Sequence, residues 1–161
     1  MPTENGSEDV PHFDVALLGI GPDGHCASLF PEHPGVYEED ASVIGVRNAP
    51  KPPPTRISLT FRGLDAAREV WFIVAGDSNA QAVAMALGGA GRVQVPSAGP
   101  RGHQRTLWLV DRAAASQPPR NLHTPPAGRH PPGWVRITAS RSRLGRLQAD
   151  LPLARSVAGS S

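Results

Sequence analysis

The sequence is poor in cysteine: Cys26 is the single one among 161 residues. One thiol excludes an intrachain disulfide, which suits a reducing compartment and leads us to expect a cytoplasmic protein. Long apolar runs are also missing, so we expect no transmembrane helix and no membrane partner. The first residues are acidic and polar and lack the basic and apolar regions of a secretory signal.

Acidic residues are nearly absent from the last part of the chain. Residues 117–161 carry a net charge of +6, whereas residues 1–116 carry −4, so the overall +2 does not indicate a nucleic-acid partner. The same 117–161 segment is rich in proline and shows little apolar periodicity. It is predicted to be a mostly disordered tail with at most a weak helix near 141–151. Residues 1–12 are likewise expected to be a disordered leader.

Residues 13–116 are predicted to form an α/β domain, because strand, loop, helix and strand signals follow one another. The first strand is a continuous apolar run, which predicts burial on both of its faces. The helix is expected to be capped by Asp77 or Ser78. The expected strands are 14–18, 42–46, 56–60, 69–75 and 105–110, the expected helix is 79–87, and a turn or short helix is expected at 63–68.

A glycine-rich loop follows the first strand. Gly19, Gly21 and Gly24 match the spacing of the dinucleotide fingerprint, Gly-x-Gly-x-x-Gly. Pro31 comes seven residues after Gly24, too soon for the full helix that the fingerprint requires. Dinucleotide binding is therefore the weakest interpretation, and a loop that simply turns the chain is the plain alternative.

His25, directly after this loop, is the candidate catalytic residue. The carboxyl end of a strand is where open α/β sheets bind ligands, and Asp23 is close enough in sequence to orient the ring. Histidine titrates near neutrality and can take a proton from water, as ester or lactone hydrolysis requires. The alternative is a histidine that merely hydrogen-bonds its own loop.

Other candidate groups carry weaker signals. Ser28 lacks a nucleophile elbow and nothing indicates an activated Cys26, so both are expected to pack or cap. The histidines lack metal-ligand spacing, so no metal site is expected. Arg56, Arg101 and Arg105 are the cations best placed for an anionic group, although a surface ion pair is the preferred interpretation for the last two.

Four stretches together resemble the 6-phosphogluconolactonases. They are FDVALLGIGPDGHCASLFP, PPPTRISLT, EVWFIVAGDSNAQAVAMALGG and RTLWLVDRAA, which occur here in that family's order. The resemblance implies a sugar-phosphate-isomerase-like (Rossmann-like) open sheet. It also implies hydrolysis of 6-phospho-D-glucono-1,5-lactone to 6-phosphogluconate in the oxidative pentose phosphate pathway, without metal or organic cofactor. By the same resemblance His25 is the general base, Gly21, Asp23 and Gly24 shape the site, and Arg56 is a candidate substrate contact.

The chain also departs from that family. Family members begin earlier, with a glycine-rich phosphate-binding loop and an Asp-Glu-Arg segment, so the resemblance predicts a carboxyl-terminal half with an amino-terminally truncated sheet. Asn79 stands where the family commonly has lysine. Two alternatives stay open: an inactive fragment of such an enzyme, and a sugar-phosphate isomerase or deaminase on the same fold. A truncated sheet is also expected to expose strand edges such as 70–75 and to favour self-association.

Overall fold

The computed structural model describes residue 10, residues 12–117 and two further strands at 134–139 and 147–150. Neither described α-helix, of five and eight residues, has the length needed to cross a membrane. Short 3-10 turns occur at Pro34–Tyr37, Asp77–Asn79 and Pro96–Ala98. The strands and helices in chain order are β1 (Val15–Leu18), β2 (Val43–Val46), β3 (Arg56–Leu59), α1 (Phe61–Asp65), β4 (Glu69–Val74), α2 (Ala80–Leu87), β5 (Arg105–Asp111), β6 (Trp134–Ala139) and β7 (Leu147–Asp150).

Five strands form one sheet in the order β1-β4-β5-β6-β7. The first three are parallel, with Val15 opposite Glu69 and Glu69 opposite Arg105, while β6 and β7 continue the sheet antiparallel. β2 and β3 form a separate antiparallel pair on the connection from β1 to β4. Because β1, β4 and β5 run the same way, the loops that follow them meet at one edge of the sheet.

The main core lies on one face of this sheet. Phe72 of β4 and Trp108 of β5 stack there with ring centroids 4.2 Å apart, and both are buried. Val83 and Leu87 of α2 belong to the same cluster. Side chains alternate along each strand, so every second residue points to this face. The apolar residues of α2 pack against those side chains.

The expectation that the first strand is buried on both faces is wrong. Ala16 is buried, but Val15 is 40% and Leu17 is 62% exposed. On the same face of the neighbouring strand, Ile73 is 44% exposed. β1 is an edge of the described sheet, and the helices α1 and α2 leave this face open, so its apolar residues remain in contact with solvent. The predicted exposed edge at 70–75 is also wrong, because β4 lies between β1 and β5.

The start of α2 differs from expectation as well. The helix begins at Ala80, and Asn79 in the cap position makes no side-chain capping bond; its Nδ2 donates to the Ala75 carbonyl instead, at 2.9 Å. The predicted cap by Asp77 or Ser78 is therefore wrong, since both lie in or beside the preceding 3-10 turn.

Two segments of the predicted tail are strands in the structure. β6 pairs with β5, and β7 pairs with β6 over Leu147–Asp150, where the sequence predicted a weak helix. The helix prediction is wrong for these four residues because strand pairing, which is not a local property, decides their conformation. The remaining residues of the tail, and residues 1–9 and 11, lie outside the described part of the chain, so the disorder predicted there stays a prediction.

Candidate active site

The loop after β1 closes on itself through its own backbone. The Gly24 N–H donates to the Gly21 carbonyl at 2.8 Å, and the Gly21 N–H donates to the His25 carbonyl at 3.0 Å. Gly24 has a φ of +83°, a backbone conformation that residues with a side chain rarely adopt. Its carbonyl accepts the N–H of Ser97 at 2.9 Å, which ties the loop to the segment after α2.

Gly21 is required by the approach of a side chain rather than by its own φ. A methyl group built on Gly21 would overlap atoms Cε1 and Nδ1 of the His25 ring. The imidazole therefore lies directly against the backbone of the loop. This contact explains why the middle glycine of the motif is needed without any dinucleotide phosphate.

His25 and Asp23 are hydrogen-bonded, with 2.6 Å between Nδ1 and Oδ1. Burial by itself raises the pKa of the Asp23 carboxyl, but the hydrogen bonds and charge of His25, together with the charge of Lys51, lower that pKa below its usual range. Asp23 is therefore ionised at neutral pH and accepts hydrogen bonds only. Nδ1 must then carry a proton, which leaves Nε2 of a neutral ring as the free base.

The His25 ring faces a cleft of about 360 Å³ at the carboxyl end of β1. Its side chain is 18% exposed, and it packs against the buried ring of Phe30 with centroids 4.7 Å apart. No hydrogen bond to Nε2 is found among the described residues, and the His25 side chain forms part of the cleft wall. The cleft is lined by Leu17, Leu18, Gly19, Ile20, His25 and Ala27.

Sequence reasoning missed Lys51. Its Nζ lies 3.6 Å from Oδ1 of Asp23, on the same oxygen that accepts from His25. The signal that could have found it is composition, since Lys51 is the one lysine among 16 basic residues. Its place in a proline-rich connector gave no hint of where the ammonium would point.

Arg56 lies next to the site, but its described hydrogen bonds go to the backbone of the neighbouring loop. Its Nε donates to the Pro53 carbonyl at 2.7 Å, and its Nη2 donates to the carbonyls of Lys51 and of Pro52, the latter at 2.8 Å. Its guanidinium also lies 5.4 Å from the ring centroid of Phe30. Arg56 and His25 therefore both contact the ring of Phe30. The role of Arg56 as a substrate contact stays a prediction.

The prediction of a surface ion pair is confirmed for Arg105, whereas for Arg101 it stays a prediction. Arg105 pairs with Glu69 at 2.8 Å, as expected of a surface ion pair. Its hydrogen bonds, with one from Trp71, lower the pKa of the Glu69 carboxyl. Arg101 instead donates to the Pro100 carbonyl at 2.9 Å and is partly buried.

Ser28 and Cys26 are structural, as predicted. The Ser28 N–H donates to Oγ of Ser58 at 3.0 Å in a buried position. Cys26 is fully buried, and burial, helped by the charge of Asp65, raises the pKa of its thiol to about 12. Both side chains are buried and neither lines the cleft, so neither is placed to attack a substrate there. Across the part of the chain that the structure describes, no cluster of three or more metal-ligating side chains is present.

The buried thiol gives a direct test of the packing around β1. We expect iodoacetamide at neutral pH to leave Cys26 of the native protein unmodified, because the thiolate that reacts is scarce and shielded. Unfolding in guanidinium should expose the thiol to rapid alkylation, seen as one adduct by intact-mass spectrometry. Fast modification of the native protein would contradict the burial of this residue.

Together the fold and the site define an α/β protein that carries a histidine–aspartate pair in a glycine loop at the carboxyl end of a parallel strand. The model of the family described as glucosamine-6-phosphate isomerases/6-phosphogluconolactonase matches residues 2–108. The chain belongs to this family.

Relatives and a solved structure agree with this assignment. The chain is 66% identical to the 6-phosphogluconolactonase of Streptomyces coelicolor, over 72% of this chain and 44% of that protein. It is 53% identical to the 6-phosphogluconolactonase of Mycobacterium tuberculosis, over 70% of this chain and 45% of that protein. The crystal structure of 6-phosphogluconolactonase from Thermotoga maritima superposes with a TM-score of 0.54 and 32% identity, covering 65% of this chain and 44% of that one. The expected sugar-phosphate-isomerase-like sheet is thus confirmed, and the chain spans about half the length of the curated relatives it matches.

Proposed function

We propose that this chain hydrolyses 6-phospho-D-glucono-1,5-lactone to 6-phosphogluconate, a step of the oxidative pentose phosphate pathway. The observation that carries the proposal is the 2.6 Å hydrogen bond between Asp23 and His25, which leaves Nε2 as the free base of a ring that lines the cleft. The relatives that match the chain are named for this activity, and the glycine loop lies inside the matched region.

In the first step His25 acts as a general base. Nε2 takes a proton from a water molecule in the cleft while the water oxygen bonds to C1 of the lactone. The C1 carbonyl becomes a tetrahedral oxyanion, and the ring becomes an imidazolium. The ionised Asp23 stabilises that cation and keeps Nδ1 protonated throughout.

In the second step the tetrahedral intermediate collapses. The C1–O5 bond of the lactone breaks as the C1 carbonyl re-forms, and the imidazolium returns its proton to O5. One water molecule has been added and the histidine is neutral again. The reaction needs no oxidant, reductant or metal to balance.

Arg56 is proposed to meet the phosphate of the substrate. A guanidinium has five N–H donors, and the three described bonds of Arg56 use those on Nε and Nη2. The two donors of Nη1 are left for an anion, which a planar guanidinium binds well. Gly21 and Gly24 contribute by shaping the loop that supports the cleft.

The isomerase or deaminase alternative is less favoured by the cleft. Ring opening of an amino sugar needs several acid–base groups around the substrate. Of the described residues that line the cleft, His25 is the titratable one. A single general base, such as His25, is sufficient for the addition of water to a lactone, so the cleft favours lactone hydrolysis over the isomerase or deaminase reaction.

A lactonase assay tests the proposal. We expect the purified chain to accelerate disappearance of 6-phosphogluconolactone above its spontaneous hydrolysis, followed by proton release in a pH-stat, and to act more slowly on unphosphorylated gluconolactone. A cooperative thermal melt on the same sample shows that the chain is folded. Folded protein without acceleration would overturn the proposal and favour an inactive fragment.

Location and assembly are further parts of the proposal. A cytoplasmic protein is consistent with a single, buried thiol. We propose that self-association occurs through β1, and the exposed Leu17 at this edge of the sheet supports that proposal. The small-molecule lactone is the proposed substrate, with no nucleic-acid or membrane partner.

A further inference from the structure

Lys51 makes a charge contact with the histidine–aspartate pair although it is absent from the lining of the cleft. Its ammonium lies 3.6 Å from Oδ1 of Asp23 and is 43% exposed. The residues that line the cleft belong to β1 and to the loop after it, with His25 among them. Lys51 thus reaches the carboxylate from outside the cleft.

The segment around Lys51 is held in place by several bonds. Ala49 N–H donates to the Pro54 carbonyl at 2.9 Å, which closes the loop of residues 49–54. Arg56, which follows this loop in the chain, donates hydrogen bonds to the loop carbonyls of Lys51, Pro52 and Pro53. The backbone that carries the lysine is therefore fixed next to Asp23, although the lysine side chain itself is partly in solvent.

We propose that Lys51 is a positioning residue: its ammonium holds the Asp23 carboxylate in the orientation that accepts the Nδ1 proton of His25. In this arrangement one oxygen of Asp23, Oδ1, contacts both the ammonium of Lys51 and Nδ1 of His25. Without the ammonium, the described bonds that hold the Asp23 carboxylate come from Nδ1 of His25 and, at 3.4 Å, from the His25 backbone N–H. The carboxylate then turns more readily toward water, since 37% of its side chain is exposed. The partner that fixes the tautomer of His25 would then be held less firmly.

A direct contact of Lys51 with the substrate phosphate is the competing explanation, and kinetics separate the two. A positioning residue acts on the reacting ring, so its loss lowers kcat. A phosphate contact made equally in ground and transition states raises KM instead. Because this part rests on the proposed lactonase function, a second measurement without any substrate is needed.

The kinetic arm compares Lys51→Met with Lys51→Arg. We expect Lys51→Met to lower kcat about two- to tenfold with little change in KM, the size that a half-exposed ion pair allows. Lys51→Arg should keep most of the rate, because it keeps the charge. In an Asp23→Asn background Lys51→Met should have no further effect. A raised KM with normal kcat, or full additivity with Asp23→Asn, would overturn the proposal.

The substrate-free arm uses the fact that Lys51 is the chain's one lysine. Reductive methylation with ¹³C-formaldehyde labels Lys51 and the terminal amine and preserves both charges. We expect the Lys51 methyl resonance to shift in the acid range as Asp23 titrates, and to stay constant there in Asp23→Asn. A resonance indifferent to Asp23 would show that the contact is absent, whether or not the chain hydrolyses lactone.

A control variant removes the cation of another exposed ion pair, away from the cleft. Arg68 pairs with Asp14 at 3.0 Å, at the amino end of β1 and so at the opposite edge of the sheet. Arg68→Met should leave kcat and the Lys51 resonance unchanged. An equal loss of kcat in Arg68→Met would show a general effect of net charge and overturn the assignment to Lys51.

Discussion

Replacement of His25 by alanine is expected to lower kcat/KM for 6-phosphogluconolactone by about 10²- to 10⁴-fold, the usual contribution of a positioned general base. Alanine leaves water in the cleft without a group to take its proton, and the hydrogen bond to Asp23 disappears. Initial rates measured against the spontaneous hydrolysis of the lactone give the loss directly.

The exposed His103 provides the matched control for this substitution. It lies in the loop before β5, and the one hydrogen bond described for it is from its backbone N–H to the Ala67 carbonyl, at 3.0 Å. His103→Ala should therefore keep the activity and the melting temperature of the parent chain. If His25→Ala, folded by the same melt, kept more than about a tenth of the parent rate, general-base catalysis by His25 would be refuted.

Gly21→Ala is expected to lower kcat by about a hundredfold, because a displacement of the order of 1 Å at a reacting group has that effect. The new methyl group would overlap Cε1 and Nδ1 of His25, so the ring must move and its bond to Asp23 must lengthen. Forcing a methyl group into this contact should also lower the free energy of unfolding by about 1–3 kcal/mol. Rates and denaturant unfolding curves check both effects.

Gly45→Ala separates this effect from the general cost of replacing a glycine. A methyl group on Gly45 meets nothing within 4 Å, and the residue lies in β2, outside the site. We expect Gly45→Ala to match the parent chain in rate and stability. Parent-like rates in Gly21→Ala would mean that the ring does not lie against the loop backbone.

The parts of the fold that the sequence predicts are those decided locally. β4 and β5 are runs of β-branched, aromatic and aliphatic residues, and their observed bounds, Glu69–Val74 and Arg105–Asp111, lie within one residue of the expected ones. The contact between Asp23 and His25 was also predictable, since residues two apart in a tight loop have few ways to avoid each other. The bond is 2.6 Å long in the structure.

The parts that the sequence does not predict depend on distant pieces of chain. Lys51 is 28 residues beyond Asp23 in the chain. The two side chains meet because the 49–54 loop, hydrogen-bonded to Arg56, lies next to the site. β7 is a strand because it pairs with β6. The exposure of Leu17 depends on what covers the second face of the sheet. An apolar strand sequence is the same whether that face is covered or open, so the sequence alone does not predict the exposure.

The backbone bonds from Gly21 to His25 and from Gly24 to Gly21 make the base and its orienting carboxylate a self-contained unit of five residues. The contacts inside this unit are local, so we expect its backbone conformation to depend little on distant pieces of chain. The same five residues are a candidate for grafting onto another parallel strand, provided that a lysine is placed against the carboxylate as Lys51 is here. What the surrounding protein must add is then the lactone's binding surface and an ammonium against the carboxylate, as Lys51 supplies here.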